Sequence, residues 1–165
     1  MKTYGQNLRR RFADELHAHM KRNNKIVVLT ADLGYRVWDQ IHIDYPDRFF
    51  NVGAGEQALS GIAIGMALEG KIPIVFSITP FLLYRPFETI RNYLNKEKIP
   101  VKLVGSGRNK EYQHDGFSHW SEEDKRVMKI FSHITSVWPK TADAVSNLFP
   151  AMIYDNKPWY INLKR

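Results

Sequence analysis

Arg48-Phe49-Phe50-Asn51-Val52-Gly53-Ala54-Gly55-Glu56-Gln57, continuing through Gly61-Ile62-Ala63 to Ala67-Leu68-Glu69-Gly70, runs from a short apolar strand into an apolar helix. Phe49 to Val52 reads as the strand, Glu56 to Glu69 as the helix, and Gly70 as its stop. Gly53 and Gly55 permit the tight or positive-φ backbone that such a junction needs. A carboxylate is favoured near a helix N-terminus. Glu56 therefore reads either as a helix cap or as a reactive group set at the mouth of a helix. A Gly-x-Gly loop at this junction also suits phosphate. It is not a full Gly-x-Gly-x-x-Gly, however, and no Gly-Lys-Ser or Gly-Lys-Thr follows.

The same alternation extends in both directions. Leu8, Phe12, Leu16 and Met20 recur at helical spacing within 7–22. Lys25 to Thr30 contains Ile26-Val27-Val28-Leu29, a run typical of a strand buried on both faces. Downstream, strands are expected at Ile72–Ile78, Val101–Val104, Ile134–Val137 and Trp159–Leu163. Helices are expected at Phe81–Asn95, after Pro80, and at about Thr141–Tyr154. A polar loop from Gly105 to His119 precedes a helix with Ser121 as N-cap. These elements predict one α/β domain over 1–165, a mainly parallel sheet with helices on both faces. Functional groups then gather at the carboxyl ends of the strands, in the loops beginning at Ala31, Val52, Ser77, Gly105 and Lys164.

Composition narrows the function. Apolar residues at 44% and charged residues at 25% describe a globular chain rather than a disordered one. There is no cysteine, which removes disulfides and thiolate metal sites and suits a reducing cytoplasm. No signal peptide and no bilayer-spanning stretch are expected. The net charge of +7 is scattered except at Arg9-Arg10-Arg11, without the aromatic-interleaved stripe of a nucleic-acid binder. Neither nucleic acid nor a membrane is an expected partner.

Two further segments carry chemistry-bearing side chains. His114-Asp115-Gly116-Phe117-Ser118-His119 offers a carboxylate and two imidazoles in a loop, without a standard metal spacing. These are either solvated loop residues or part of a site. Thr30-Ala31-Asp32-Leu33-Gly34 puts an acidic group just past a buried strand, where Asp32 also suits a turn.

Taken together, the segments resemble the pyrimidine-binding domain of the transketolase family and of deoxyxylulose-phosphate synthases. The resemblance runs through the opening string and Tyr84-Arg85-Pro86-Phe87-Glu88-Thr89-Ile90-Arg91. It continues in Val101-Lys102-Leu103-Val104-Gly105-Ser106, Asp115 to His119 and Glu122-Glu123-Asp124, in order along nearly the whole chain. It implies a thiamine-diphosphate-binding fold of the pyrimidine type. In that family the cofactor lies between two domains from different chains. One holds the diphosphate through Mg2+ or Ca2+ and a Gly-Asp-Gly…Asn-Asn motif, and the other holds the aminopyrimidine.

Carried over by resemblance, Glu56 is the glutamate that hydrogen-bonds the pyrimidine ring nitrogen and shares a proton with it. An apolar pocket is expected around it. Asp32 matches an aspartate near the cofactor and the subunit interface. Phe81 and Leu82 fall in the segment that contacts the pyrimidine. Asp115 and His119 match residues at the sugar hydroxyls near the reacting carbon. Arg9 and Arg165 align with arginines that grip substrate phosphate, a task suited to the bidentate guanidinium fork.

The departures are specific. Thr79 and Leu82 stand where phenylalanines are expected, with Phe81 available to compensate. A substrate-contacting histidine is replaced near Gly107, and a phosphate-holding serine near Arg36. No Gly-Asp-Gly motif occurs in the sequence. The resemblance thus implies a separate subunit carrying the diphosphate-binding domain and the metal, two copies of each chain, and a small phosphorylated or sugar-derived substrate. The reaction expected is transfer of a two-carbon ketol unit, or decarboxylation of a 2-oxo acid and transfer of the remainder. A non-catalytic module that keeps the fold is the alternative. A stand-alone hydrolase ranks last, because no Gly-x-Ser-x-Gly elbow is present.

Overall fold

Ile26-Val27-Val28-Leu29-Thr30 is buried at every position, and so are Lys102–Ser106 and Trp159–Leu163. Strands without a wet face must lie inside a sheet covered on both sides. The computed structural model describes residues 7–165 and shows that sheet. In chain order the elements are α1 (Leu8–Met20), β1 (Ile26–Thr30), α2 (Asp39–Asp44), β2 (Phe49–Asn51), α3 (Glu56–Leu68) and β3 (Ile72–Ile78). Then come α4 (Thr79–Tyr84), α5 (Phe87–Thr89), β4 (Lys102–Ser106), α6 (Asp124–Met128), β5 (Thr135–Val137), α7 (Ala142–Tyr154) and β6 (Trp159–Leu163). The strands order as β2-β1-β3-β4-β6-β5, and every pairing is parallel. The edge strands β2 and β5 have three residues each, which limits the unpaired backbone presented to other chains.

Successive strand residues face opposite ways, so each strand feeds two cores. Ile26, Val28, Ile74, Phe76 and Ile161 meet α1, α7 and the buried Trp38. Val27, Leu29, Val75, Leu103 and Tyr160 meet α3, α4 and α6. The chain leaves β1 toward β2 and returns to β3 on the other side of β1. A crevice therefore opens at the carboxyl ends of β1 and β3.

Three local expectations change. The helix expected over Phe81–Asn95 is divided into α4, α5 and a π-helical segment Ile90–Lys96. Pro86, which has no N–H to donate, stands at the first break. Ser121 does not cap a helix. Its hydroxyl donates to the Gly107 carbonyl at 3.1 Å, and α6 begins only at Asp124. The polar loop before it contains two single 3-10 turns, Gln113–Asp115 and Phe117–His119, hinged at Gly116 with φ 88°.

Candidate functional site

Glu56 opens α3 directly after Gly55, and its side chain is 1% exposed. Burying a carboxylate is costly unless it is paired and hydrogen-bonded. Here Oε1 accepts a hydrogen bond from Ser77 Oγ at 2.8 Å, and Oε2 accepts one from the Arg85 guanidinium. Both oxygens thus point away from the helix backbone, toward the end of β3 and the end of α4. The pocket is not the apolar one expected. Arg85, at the C-cap of α4, closes it with a charged group.

From Glu56 a row of side chains crosses the carboxyl ends of the strands. The Arg85 guanidinium lies over the Phe81 ring, 3.9 Å from its centroid. Phe81 meets His119 edge to face at 4.8 Å between centroids, and His119 lies 6.3 Å from the Tyr112 ring. The Tyr112 hydroxyl shares a hydrogen bond with Ser106 Oγ at 2.9 Å. Arg9 Nη1 stands 3.4 Å from each of those two oxygens, and the Arg165 guanidinium lies over the Tyr112 ring at 4.9 Å. Of the expected residues, Glu56, Phe81, His119, Arg9 and Arg165 fall on this row.

The other expected residues lie apart from it. Leu82 is fully buried in the core beside α3, because its side of α4 packs inward; it offers no surface to a ligand. Thr79 is also fully buried, and its hydroxyl bonds the carbonyls of Ser106 and Gly107. Asp115 is exposed and faces His114 at 3.3 Å. Asp32, with φ 55°, is clasped by Asn51, whose Oδ1 accepts from the Asp32 N–H at 2.8 Å. It lines a separate hollow with Thr30, Gly34, Trp38 and His42.

Ser77, Arg85 and Tyr112 also reach the row, and nothing in their local sequence announces it. Arg85 lies in the Tyr84-Arg85-Pro86-Phe87 string that carries the resemblance, so its position is legible in the sequence but its contact with Glu56 is not.

A buried polar network fixes the floor of the row. Asn162 donates to the Gly107 carbonyl, to Thr79 Oγ1 and to the Tyr160 hydroxyl. Tyr160 and the Trp138 indole both donate to Asp124. Burial, then the charge of Asp124, pushes the Tyr160 phenol well above its ordinary range, so it remains a donor. Arg108 completes the network through the Asn162 side chain and carbonyl at 2.8 and 2.6 Å. Among the described residues no group of three His, Cys, Asp or Glu side chains is placed to hold a metal ion.

Comparison with known proteins agrees along almost the full chain. Residues 5–165 match the model of the transketolase pyrimidine-binding domain. A 6-deoxy-6-sulfo-D-fructose transketolase subunit from Clostridium sp. (strain MSTE9) is 30% identical over 159 residues, covering 96% of this chain and 49% of that protein. An apulose-4-phosphate transketolase subunit from Actinobacillus succinogenes is 32% identical over 120 residues, covering 73% of this chain and 39% of that protein. Among solved structures, a split-gene transketolase described as an inactive β4 tetramer superposes with a TM-score of 0.85. It is 31% identical and matches over 98% of this chain and 52% of that one. The chain thus spans about half the length, or less, of the relatives it matches.

Proposed function

The chain belongs to the transketolase family as a pyrimidine-binding domain, and from that membership we propose that it serves one subunit of a split, thiamine-diphosphate-dependent transferase. A second chain supplies the diphosphate-binding domain and its Mg2+ or Ca2+, and the assembly holds two copies of each. The reaction is transfer of a two-carbon ketol unit, or of the remainder of a decarboxylated 2-oxo acid. The relatives named for sugar substrates, one phosphorylated and one sulfonated, favour the ketol case.

The observation that carries this reading is the buried Glu56 carboxylate at the start of α3, with the Phe81 ring next along the row, joined to it through Arg85. An aminopyrimidine needs those two things, an acid–base group for its ring nitrogen and a flat apolar surface. Bound there, the cofactor supplies the carbon nucleophile of the reaction. Glu56 holds or returns a proton at the pyrimidine nitrogen, and Ser77 orients its carboxylate. Phe81 carries the ring. His119 meets hydroxyls of the sugar; Asp115, which lies off the row beside His114, is assigned there by the resemblance alone. Arg9 and Arg165 bind the far, anionic end.

The non-catalytic alternative draws on one observation, that Arg85 already engages Glu56 and lies on Phe81. Titration calorimetry with thiamine diphosphate and Mg2+ separates the cases. The isolated chain should bind weakly and the chain with its partner tightly. Micromolar binding by the isolated chain overturns the split site, and no binding by the pair overturns the enzyme.

A further inference from the structure

Lys102 opens β4 and is 1% exposed, while every other lysine among the described residues is exposed to solvent. A buried ammonium is costly unless it is paired and hydrogen-bonded. Lys102 forms no ion pair with an Asp or Glu side chain. The nearest candidate, the Asp155 carboxylate, accepts instead from the Trp159 indole at 2.9 Å. Lys102 Nζ donates to the backbone carbonyls of Asp155 and Lys157, each at 2.6 Å. Those two bonds use both N–H groups of a neutral amine and leave its lone pair free. An ammonium would carry a third N–H that no other described group accepts. Burial agrees with the neutral form, lowering the Lys102 ammonium from 10.5 to about 8.

The amine lines a cleft of about 310 Å³ at the amino ends of β1, β3 and β4. Glu56 and Ser77 lie at the other end of the sheet, so the cleft is separate from the row described above. Lys25 and Lys71 line the cleft as well, and neither pairs with an Asp or Glu side chain. Tyr154, also on its wall, is engaged by His19 at 2.8 Å. A buried nucleophilic amine thus shares a cleft with two unpaired cations.

We propose that Lys102 is a reversible carbamate site, taking up carbon dioxide, with Lys25 and Lys71 neutralising the carboxylate that forms. The Nζ lone pair adds to the carbon of carbon dioxide and a C–N bond forms. One C=O π pair becomes the charge on oxygen, and one proton leaves Nζ for solvent. The remaining N–H still serves one of the two carbonyls. An imine or an amide on the same nitrogen would add no negative charge. The carbamate is an anion, which is what a cleft with two further lysines favours. This inference goes beyond the proposed transferase function and does not rest on it.

The test exposes the full chain to 13C-labelled bicarbonate at about pH 8, where the amine is close to half neutral. A 13C carbamate resonance, distinct from bicarbonate and dissolved carbon dioxide, is expected. Alkylation with triethyloxonium ion then traps the carbamate as its ethyl ester, and peptide mass spectrometry should place it on Lys102. Lys102→Arg keeps a cation that cannot be deprotonated, and should abolish that resonance. Lys25→Gln and Lys71→Gln should each lower occupancy about twofold at subsaturating carbon dioxide, as expected for exposed charges.

The chain's α-amine titrates in the same range and serves as the internal reference. Trapping on that amine or on exposed lysines without Lys102 overturns the site. A resonance of unchanged intensity in Lys102→Arg does the same. Equal occupancy in the parent and both glutamine variants overturns the role of Lys25 and Lys71. The mapping on the parent chain stands whether or not Lys102→Arg folds.

Discussion

The Arg85 guanidinium donates to the buried carboxylate of Glu56 while lying on the face of Phe81. Glu56 is 1% exposed and the Arg85 side chain 45%, so the pair is screened by solvent from one side only. Removing Arg85 leaves an uncompensated buried carboxylate, and removing both leaves none. A double-mutant cycle of Arg85→Met and Glu56→Gln, followed by urea unfolding, should give a coupling of about 1 kcal/mol after allowing for that exposure. Additive effects would show that the contact contributes nothing.

Glu56→Gln separates a structural carboxylate from an acid–base one. Glutamine keeps the size and can still hydrogen-bond Ser77, but it cannot exchange a proton with a ring nitrogen. Cofactor C2 deuterium exchange in the reconstituted complex should fall about a hundredfold or more, in line with general acid–base contributions. Partner assembly should survive. Exchange at the parent rate would reduce Glu56 to a structural role. Slow exchange in the parent, with cofactor bound, would favour the non-catalytic module.

What was legible in the sequence follows from local physics. The β-branched run at Ile26–Leu29 and the glycines before Glu56 determine a strand and a strand–helix junction without help from distant residues. What was not legible depends on partners far along the chain. Nothing near Ser121 announces that its hydroxyl will go to Gly107, fourteen residues back, rather than to a helix end. The resemblance puts Leu82 at the ligand, whereas the core beside α3 holds it. Tyr112 lies in a loop whose polarity gave no hint that its ring would fill the space above Gly107.

Stability should rise with pH between about 8 and 10. Burial lowers the Lys102 ammonium from 10.5 to about 8, and its Nζ donates to the carbonyls of Asp155 and Lys157. Between those two values the unfolded chain holds the proton and the folded chain does not, so unfolding becomes less favourable as pH rises. Burial, with Glu123 nearby, raises Tyr84 from 10.0 to about 12. There the folded chain keeps the proton longer, and stability falls above pH 10. Urea midpoints should therefore peak near pH 10, with a gain on the order of 1–2 kcal/mol from pH 7.5. Lys102→Met should flatten the rising limb, and an unchanged limb would show that another group produces it.

Gly61 and Gly65 lie on the outer face of α3, where a Cβ on either would meet nothing within 4 Å. Ile62 and Leu68, 41% and 69% exposed, share that side of the helix. Within this chain the two glycines have no packing reason, although glycine inside a helix costs roughly 1 kcal/mol relative to alanine. Close approach of another helix supplies one, and the proposed site between subunits requires a neighbour at the end of α3 that bears Glu56. Gly61→Leu and Gly65→Leu should leave the isolated chain as stable as the parent, or more so by up to about 1 kcal/mol. They should block assembly with the partner chain, read by sedimentation velocity. Gly65→Ala, adding one methyl group, should weaken assembly less than Gly65→Leu. Normal assembly of both leucine variants would place the interface elsewhere, and Glu56 would then have to meet its cofactor from a different side.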